Sequence, residues 1–223
     1  MTQLYLVRHG ITRMNEDGRL QGQSDLPLNP VGQRQAEALA ARLARVPLER
    51  VIASDLRRAV QTAQIIAGRQ TAARQSAGRH HLAVEAEPCL RELHFGDWEG
   101  LSYQTLQEQF PQELAKWRAE PYGFAPPGGE SLGKLAQRVA DFYESLASYG
   151  DQANVLVVAH GGPLQVLLCL ALKLPAQNYW QFHLEPASLS QIGLYPQGAI
   201  LNLLNDTSHL TGIPNTEANP WAS

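Results

Sequence analysis

Two histidines, a set of arginines and a group of carboxylates have the types and spacing to do chemistry. His9 sits between Arg8 and Gly10, directly after the apolar run Leu4-Tyr5-Leu6-Val7. His160 is followed by Gly161-Gly162-Pro163 and stands just after Val155-Leu156-Val157-Val158. A histidine can act as a nucleophile, and an arginine beside it can grip an anion through two parallel N–H bonds. Glycines let backbone N–H groups approach a ligand closely. Arg57 and Arg58 follow Ser54-Asp55, a helix cap, and so fall in a first turn where the helix dipole disfavours cations. An arginine there has a use if it faces an anion over the helix start, and one of the two is expected to be simply solvated. Among Leu90, Leu93, Phe95 and Trp98 lie Glu92, Asp97 and Glu99. Apolar surroundings favour the protonated carboxyl that a general acid needs, and periodicity does not choose among the three.

These side chains need elements to position them. Each apolar run reads as a strand buried on both faces, as in a parallel sheet, and the shared pattern puts His9 and His160 on one rim of it. From Ile11 to Gly32 the chain reads as a long surface loop, with Asn15, Gln21 and Gly22 as candidate ligand contacts; ordinary turn chemistry would account for Gly22 equally well. Asn29-Pro30 opens a helix carrying Ala36, Leu39, Ala40 and Leu43 on one face and ending before Pro47. Val51-Ile52-Ala53 is a second short strand, and Ala59, Thr62, Ala63, Ile66 and Ala67 form a small-residue helix face. Thr71 to His81 reads as a mobile spacer, and its neighbouring His80 and His81 would not share a helix face to hold a metal. Leu82-Ala83-Val84 is a third strand.

One or two short helices and a proline-rich return fill Leu101 to Pro127, where Trp117, Tyr122 and Phe124 could cap the site or pack the segment onto the body. A helix with Leu132, Leu135, Val139, Phe142 and Leu146 on its apolar face runs to near Gly150. A buried helix spans Leu164 to Leu172. Ser188–Tyr195 and Ala199–Leu204 are closing strands, and the last dozen or so residues are polar and frayed.

Composition narrows the classes. At 223 residues, 44% hydrophobic and 17% charged, the chain is expected to form one domain, 1–223, with a single insertion. Eighteen Lys+Arg against 21 Asp+Glu give a net charge of −3, and no basic stripe invites nucleic acid. Cys89 and Cys169 are in no metal or redox spacing and suit a reducing compartment. The first strand begins almost at once, and no apolar run approaches membrane-spanning length, so a cytoplasmic protein with no membrane partner is expected. A metal site is disfavoured because Arg8 and Arg58 would repel a cation. No Walker loop or dinucleotide fingerprint occurs. A doubly charged phosphoryl group fits the set, since arginine forks match its oxygens.

Four stretches in order resemble the histidine phosphatase superfamily, also called phosphoglycerate-mutase-like: Arg8-His9-Gly10 with Thr12 and Asn15, Ser54 with Arg58-Ala59 and Thr62-Ala63, Glu92 in LRELHFGDWEG, and His160-Gly161-Gly162. The resemblance implies an α/β three-layer sandwich with a mostly parallel central sheet flanked by helices, plus a helical cap insertion at about residues 93–130. It implies His9 as the nucleophile that becomes a phosphohistidine. Arg8, Arg58 and His160 would hold the phosphate oxygens, with Asn15, Gly161, Thr12, Gln21 and Gly22 as further contacts. Glu92 would be the general acid. No metal or cofactor is implied, and the partner is a small phosphorylated metabolite; a homodimer is compatible with it.

FGDWEG, PPGGESL and LNDTSHL are most similar to α-ribazole-5′-phosphate phosphatases and broad-specificity phosphomonoesterases, with phosphoserine phosphatases close. Mutases of this superfamily resemble longer chains with basic clusters in the insertion and an Asn where this chain has Gly162. Here, histidine aside, only Lys116 and Arg118 are basic from Leu93 to Glu130, and Met14 stands where the family usually has tryptophan. Three expectations follow, in order: a metal-independent phosphomonoesterase, a phosphoglycerate mutase, and a catalytically silent phosphometabolite-binding protein.

Overall fold

The computed structural model describes residues 1–75, 82–146 and 153–214. Its centre is a six-stranded sheet in the order β3-β2-β4-β1-β5-β6. The strands are β1 (Thr2–Arg8), β2 (Arg50–Ala53), β3 (Val84–Ala86), β4 (Asn154–Ala159), β5 (Leu189–Tyr195) and β6 (Gly198–Asp206). The first four in space run parallel, while β5 and β6 add an antiparallel edge.

Alternation along the two central strands explains why helices cover both faces. Leu4 and Leu6 of β1, with Val155 and Val157 of β4, join one apolar cluster; Val7, Leu156 and Val158 join another on the opposite face. The first cluster is closed by α6 (Leu132–Ser145) and α7 (Gly161–Ala171) together with Leu106, Leu114 and Trp117. The second is closed by α2 (Pro30–Arg42) and α3 (Arg57–Gln75) through Leu39, Ala59, Ala63 and Ile66. The result is the expected three-layer α/β arrangement. Leu106 belongs to α4 (Tyr103–Gln109), and Leu114 and Trp117 to α5 (Pro111–Ala119). Among the described residues, no helix is long and apolar enough to cross a membrane.

Several boundaries differ from the sequence reading. The loop after β1 contains a one-turn helix, α1 (Arg13–Glu16), closed by a capping box between Thr12 and Asn15. Thr71–Gln75 continue α3 rather than forming a spacer. The third strand starts at Val84, because Leu82 is buried in the second cluster and its N–H donates to Thr71 Oγ1 at 3.2 Å. Helix α7 begins at Gly161, three residues before the expected start. A 3₁₀ segment at Ala176–Gln181 had no periodic signal to announce it. His80 and His81, the end of the helix near Gly150 and the polar carboxyl terminus from residue 215 lie outside the described residues.

Candidate active site

Register brings the two histidines together. In the parallel β1–β4 pair Leu6 stands opposite Val157 and Arg8 opposite Ala159, so His9 and His160 both emerge one residue beyond the carboxyl ends of neighbouring strands. The His9 N–H donates to Ala159 O at 3.0 Å. The imidazole rings meet edge to face, with centroids 4.9 Å apart. Both are buried, 3% and 0% exposed.

Hydrogen bonds decide which nitrogen of each ring holds a lone pair. A carbonyl only accepts, so the 2.7 Å contact between His9 Nδ1 and Gly10 O puts the proton on Nδ1 and the lone pair on Nε2. Arginine only donates, and Arg58 Nε lies 3.2 Å from His9 Nε2 and 3.1 Å from His160 Nδ1. The proton of neutral His160 therefore sits on Nε2, which donates to Ser54 Oγ at 2.8 Å. Both imidazoles are held well below their usual pKa, first by burial and then by the positive charge of Arg58, with Arg8 adding to it. His9 is thus a neutral imidazole with its lone pair on Nε2.

Arg58 comes from the first turn of α3 and is 1% exposed. Its terminal nitrogens donate to Ser24 O at 2.8 Å and Gly22 O at 2.6 Å, which aims Nε into the site. Burial lowers its pKa to about 10, so it remains a cation at neutral pH. Arg57 is exposed, as expected of one member of the pair. Arg8 donates to Leu184 O at 2.7 Å.

Of the three carboxylates, only Glu92 lines the cavity over the histidines. Its oxygens accept the N–H of Gly162 at 3.2 and 3.3 Å, and Oε1 accepts the N–H of Leu93 at 2.8 Å. The carboxylate thus rests on the Gly162 N–H in the first turn of α7 and on the N–H of its own neighbour Leu93, not among apolar side chains alone as expected. Glu99 instead ties the Gln23-Ser24 turn, accepting both N–H groups at 2.8 Å and the Ser24 hydroxyl at 2.5 Å. Asp97 is exposed.

The remaining sequence candidates divide. Asn15, Gln21, Gly22 and Gly161 line the cavity, of about 540 Å³, with Arg8, His9, Arg58 and Glu92. Thr12 is fully buried behind them, its hydroxyl 2.8 Å from Gln21 Oε1 and 2.9 Å from Asn15 Oδ1, where it positions those two side chains. His160 likewise lies behind Arg58 and is not part of the lining. Of the three cap aromatics only Trp117 reaches the cavity; Tyr122 is 44% exposed and Phe124 packs on the first core cluster. Tyr179, Trp180 and Phe182 supply aromatic lining instead.

Some contributors carried no local signal. Arg138, on α6, donates to Cys89 O at 2.6 Å and Glu92 O at 3.0 Å, and pairs with Glu130 at 2.5 Å. Gln23 adds a bond to Glu92 O at 3.1 Å. Arg19, from the loop after α1, lines the mouth beside Arg118. Among the described residues no group of three His, Cys, Asp or Glu side chains could hold a metal ion.

Residues 4–207 match the family model of the histidine phosphatase superfamily (branch 1). The adenosylcobalamin/α-ribazole phosphatase of Salmonella typhimurium is 33% identical over 203 residues, covering 91% of this chain and 95% of that protein. Phosphoserine phosphatase 1 of Hydrogenobacter thermophilus is 32% identical over 210 residues, with 94% and 95% covered. The crystal structure of the α-ribazole phosphatase from Shigella flexneri superposes with a TM-score of 0.81 at 32% identity, over 92% of this chain and 96% of that one. With its paired histidines, buried arginine and Glu92 on the rim of a matching sheet, the chain belongs to the histidine phosphatase superfamily, branch 1, and is a phosphatase.

Proposed function

We propose that the protein is a metal-independent phosphomonoesterase that works through a phosphohistidine on His9. The observation that carries this reading is the tautomer set at His9, whose Nδ1 is tied to Gly10 O while Nε2 presents a lone pair beside Arg58. In the first step Nε2 attacks phosphorus and the bond from phosphorus to the ester oxygen breaks. The Glu92 carboxyl gives its proton to the departing oxygen. In the second step the Glu92 carboxylate takes a proton from water as the water oxygen attacks phosphorus. The P–N bond then breaks and inorganic phosphate leaves, restoring neutral His9. Arg8 and Arg58 offset the charge on the transferring group, with Asn15 and the first N–H groups of α7 as further donors. Guanidinium and backbone donors supply the role a metal would play.

Relatives named for α-ribazole phosphate and for phosphoserine support a small phosphorylated metabolite as substrate, and these two esters are the best guesses. A phosphoglycerate mutase would need a cationic clamp for a second acidic group. Arg19 and Arg118 stand at the mouth, yet Arg19 donates to Gly100 O and the Arg118 guanidinium lies over the Tyr103 ring. The hydrolase reading is therefore preferred.

The test is phosphate release, with chelator present, from α-ribazole 5′-phosphate, phosphoserine, 3-phosphoglycerate and p-nitrophenyl phosphate, beside a primed mutase assay. Release from one or more esters is expected, and His9→Ala should abolish it with the fold retained. Interconversion of phosphoglycerates without release would establish the mutase instead. Phosphate-ester binding without turnover would leave a silent binding protein.

A further inference from the structure

Besides the catalytic groups, the cavity is lined by five aromatic side chains: Phe95, Trp117, Tyr179, Trp180 and Phe182. Trp180 is 71% exposed, the largest exposure among the big apolar side chains described. Together with the other aromatic side chains of the lining, this ring gives the cavity the kind of aromatic wall that ligand pockets use. Its support is fixed, because Gln165 of α7 donates to Phe182 O at 2.5 Å and the Phe182 N–H closes the 3₁₀ segment onto Tyr179 O at 3.1 Å.

Resting on the phosphomonoesterase reading above, the geometry points to Trp180 as a stacking platform that selects phosphomonoesters whose alcohol carries a planar ring, such as a ribosyl 5′-phosphate bearing a heteroaromatic base. A cavity of about 540 Å³ leaves room for such a leaving group beyond the phosphate. A small ester such as phosphoserine would leave these rings uncovered. The mouth's two guanidiniums are drawn instead to Gly100 O, at 2.7 Å, and to the Tyr103 ring, at 5.0 Å.

A matched pair of substrates tests this. Adenosine 5′-monophosphate and α-ribazole 5′-phosphate each share the ester of ribose 5-phosphate and add a ring. The wild type should show kcat/KM at least about tenfold higher for a ring-bearing ester than for ribose 5-phosphate, the range expected of one base stacked on one aromatic side chain. Trp180→Ala should bring that ratio close to one, and Trp180→Phe should restore most of it. In His9→Ala, calorimetric binding of the ring-bearing esters should weaken by the same factor when Trp180→Ala is added. A wild-type ratio near one, or a ratio unchanged in Trp180→Ala, would overturn the platform while the phosphatase reading stands. No phosphate from any ester would overturn the underlying reading and the platform with it.

Discussion

Glu92 occupies the space that a side chain at position 162 would need. A Cβ added to Gly162 would lie 2.4 Å from Glu92 Oε1 and 3.3 Å from Leu135 Cδ2. The nearer atom is the end of a flexible side chain, so it can swing away at little cost, and alanine in the helix contributes about 0.5–1 kcal/mol over glycine. Stability should therefore hold while the carboxylate is moved off its N–H partners. Gly162→Ala is expected to keep the melting temperature within about 2 °C and to lower kcat about 100-fold on alkyl phosphates, the scale of a lost general acid. p-Nitrophenyl phosphate, whose leaving group needs no proton, should lose much less in the first step. Equal losses on both esters in single-turnover phosphohistidine formation would mean that Glu92 is not the acid. The residue types at this site were legible from the sequence, because chemistry-bearing side chains next to apolar runs stand out. The partner of Gly162 was not, since 70 residues separate it from Glu92.

At the scale of elements, β1 and β4 were readable because each is a continuous apolar run ending in His-Gly, and their pairing follows from that shared design. What escaped were elements shaped by tertiary contacts: the one-turn α1, the displaced β3, and the 3₁₀ segment that carries Trp180. Arg138 escaped for the same reason. The apolar face of α6 was evident, but its polar face gave no hint that one guanidinium spans Cys89 O, Glu92 O and the Glu130 carboxylate. The segment bearing Glu92 has no regular secondary structure, and Arg138 holds its backbone in place of a strand ladder. Arg138→Leu should cost about 2 kcal/mol of stability by leaving the partly buried Glu130 without its partner, and should lower kcat more than it raises KM. Arg138→Lys should recover stability better than kcat, because a single ammonium cannot reproduce the fork. A variant with lost stability and an unchanged kcat would show that Arg138 only packs the segment and does not position Glu92.

For the whole molecule, the two buried imidazoles make folding sensitive to acid in a predictable window. Burial and the neighbouring arginines place the folded-state pKa of both His9 and His160 well below 6.5, the value each regains in the unfolded chain, and burial lowers His209 as well. Between the folded and unfolded values the unfolded chain binds more protons, so the unfolding free energy rises with pH there and falls on acidification. The contribution is complete above about pH 6.5 and is lost as pH drops toward the folded values. Asp55, lowered mainly by its bond to Arg91, and Asp206 act in the same direction but only near and below pH 4. Urea titrations at pH 7.5, 6.5, 5.5 and 4.5 should show little change across the first interval. Below it stability should fall with acid, each imidazole that stays neutral in the folded state contributing up to about 1.4 kcal/mol per pH unit. Replacing both active-site histidines with asparagine should remove most of that slope, provided that the double variant gives the same urea m-value as the parent and so unfolds from a comparable folded state. Stability that stays flat to pH 5 in the parent would mean that the imidazoles are hydrated and protonate freely, and the fixed lone pair on His9 would then lose its physical basis.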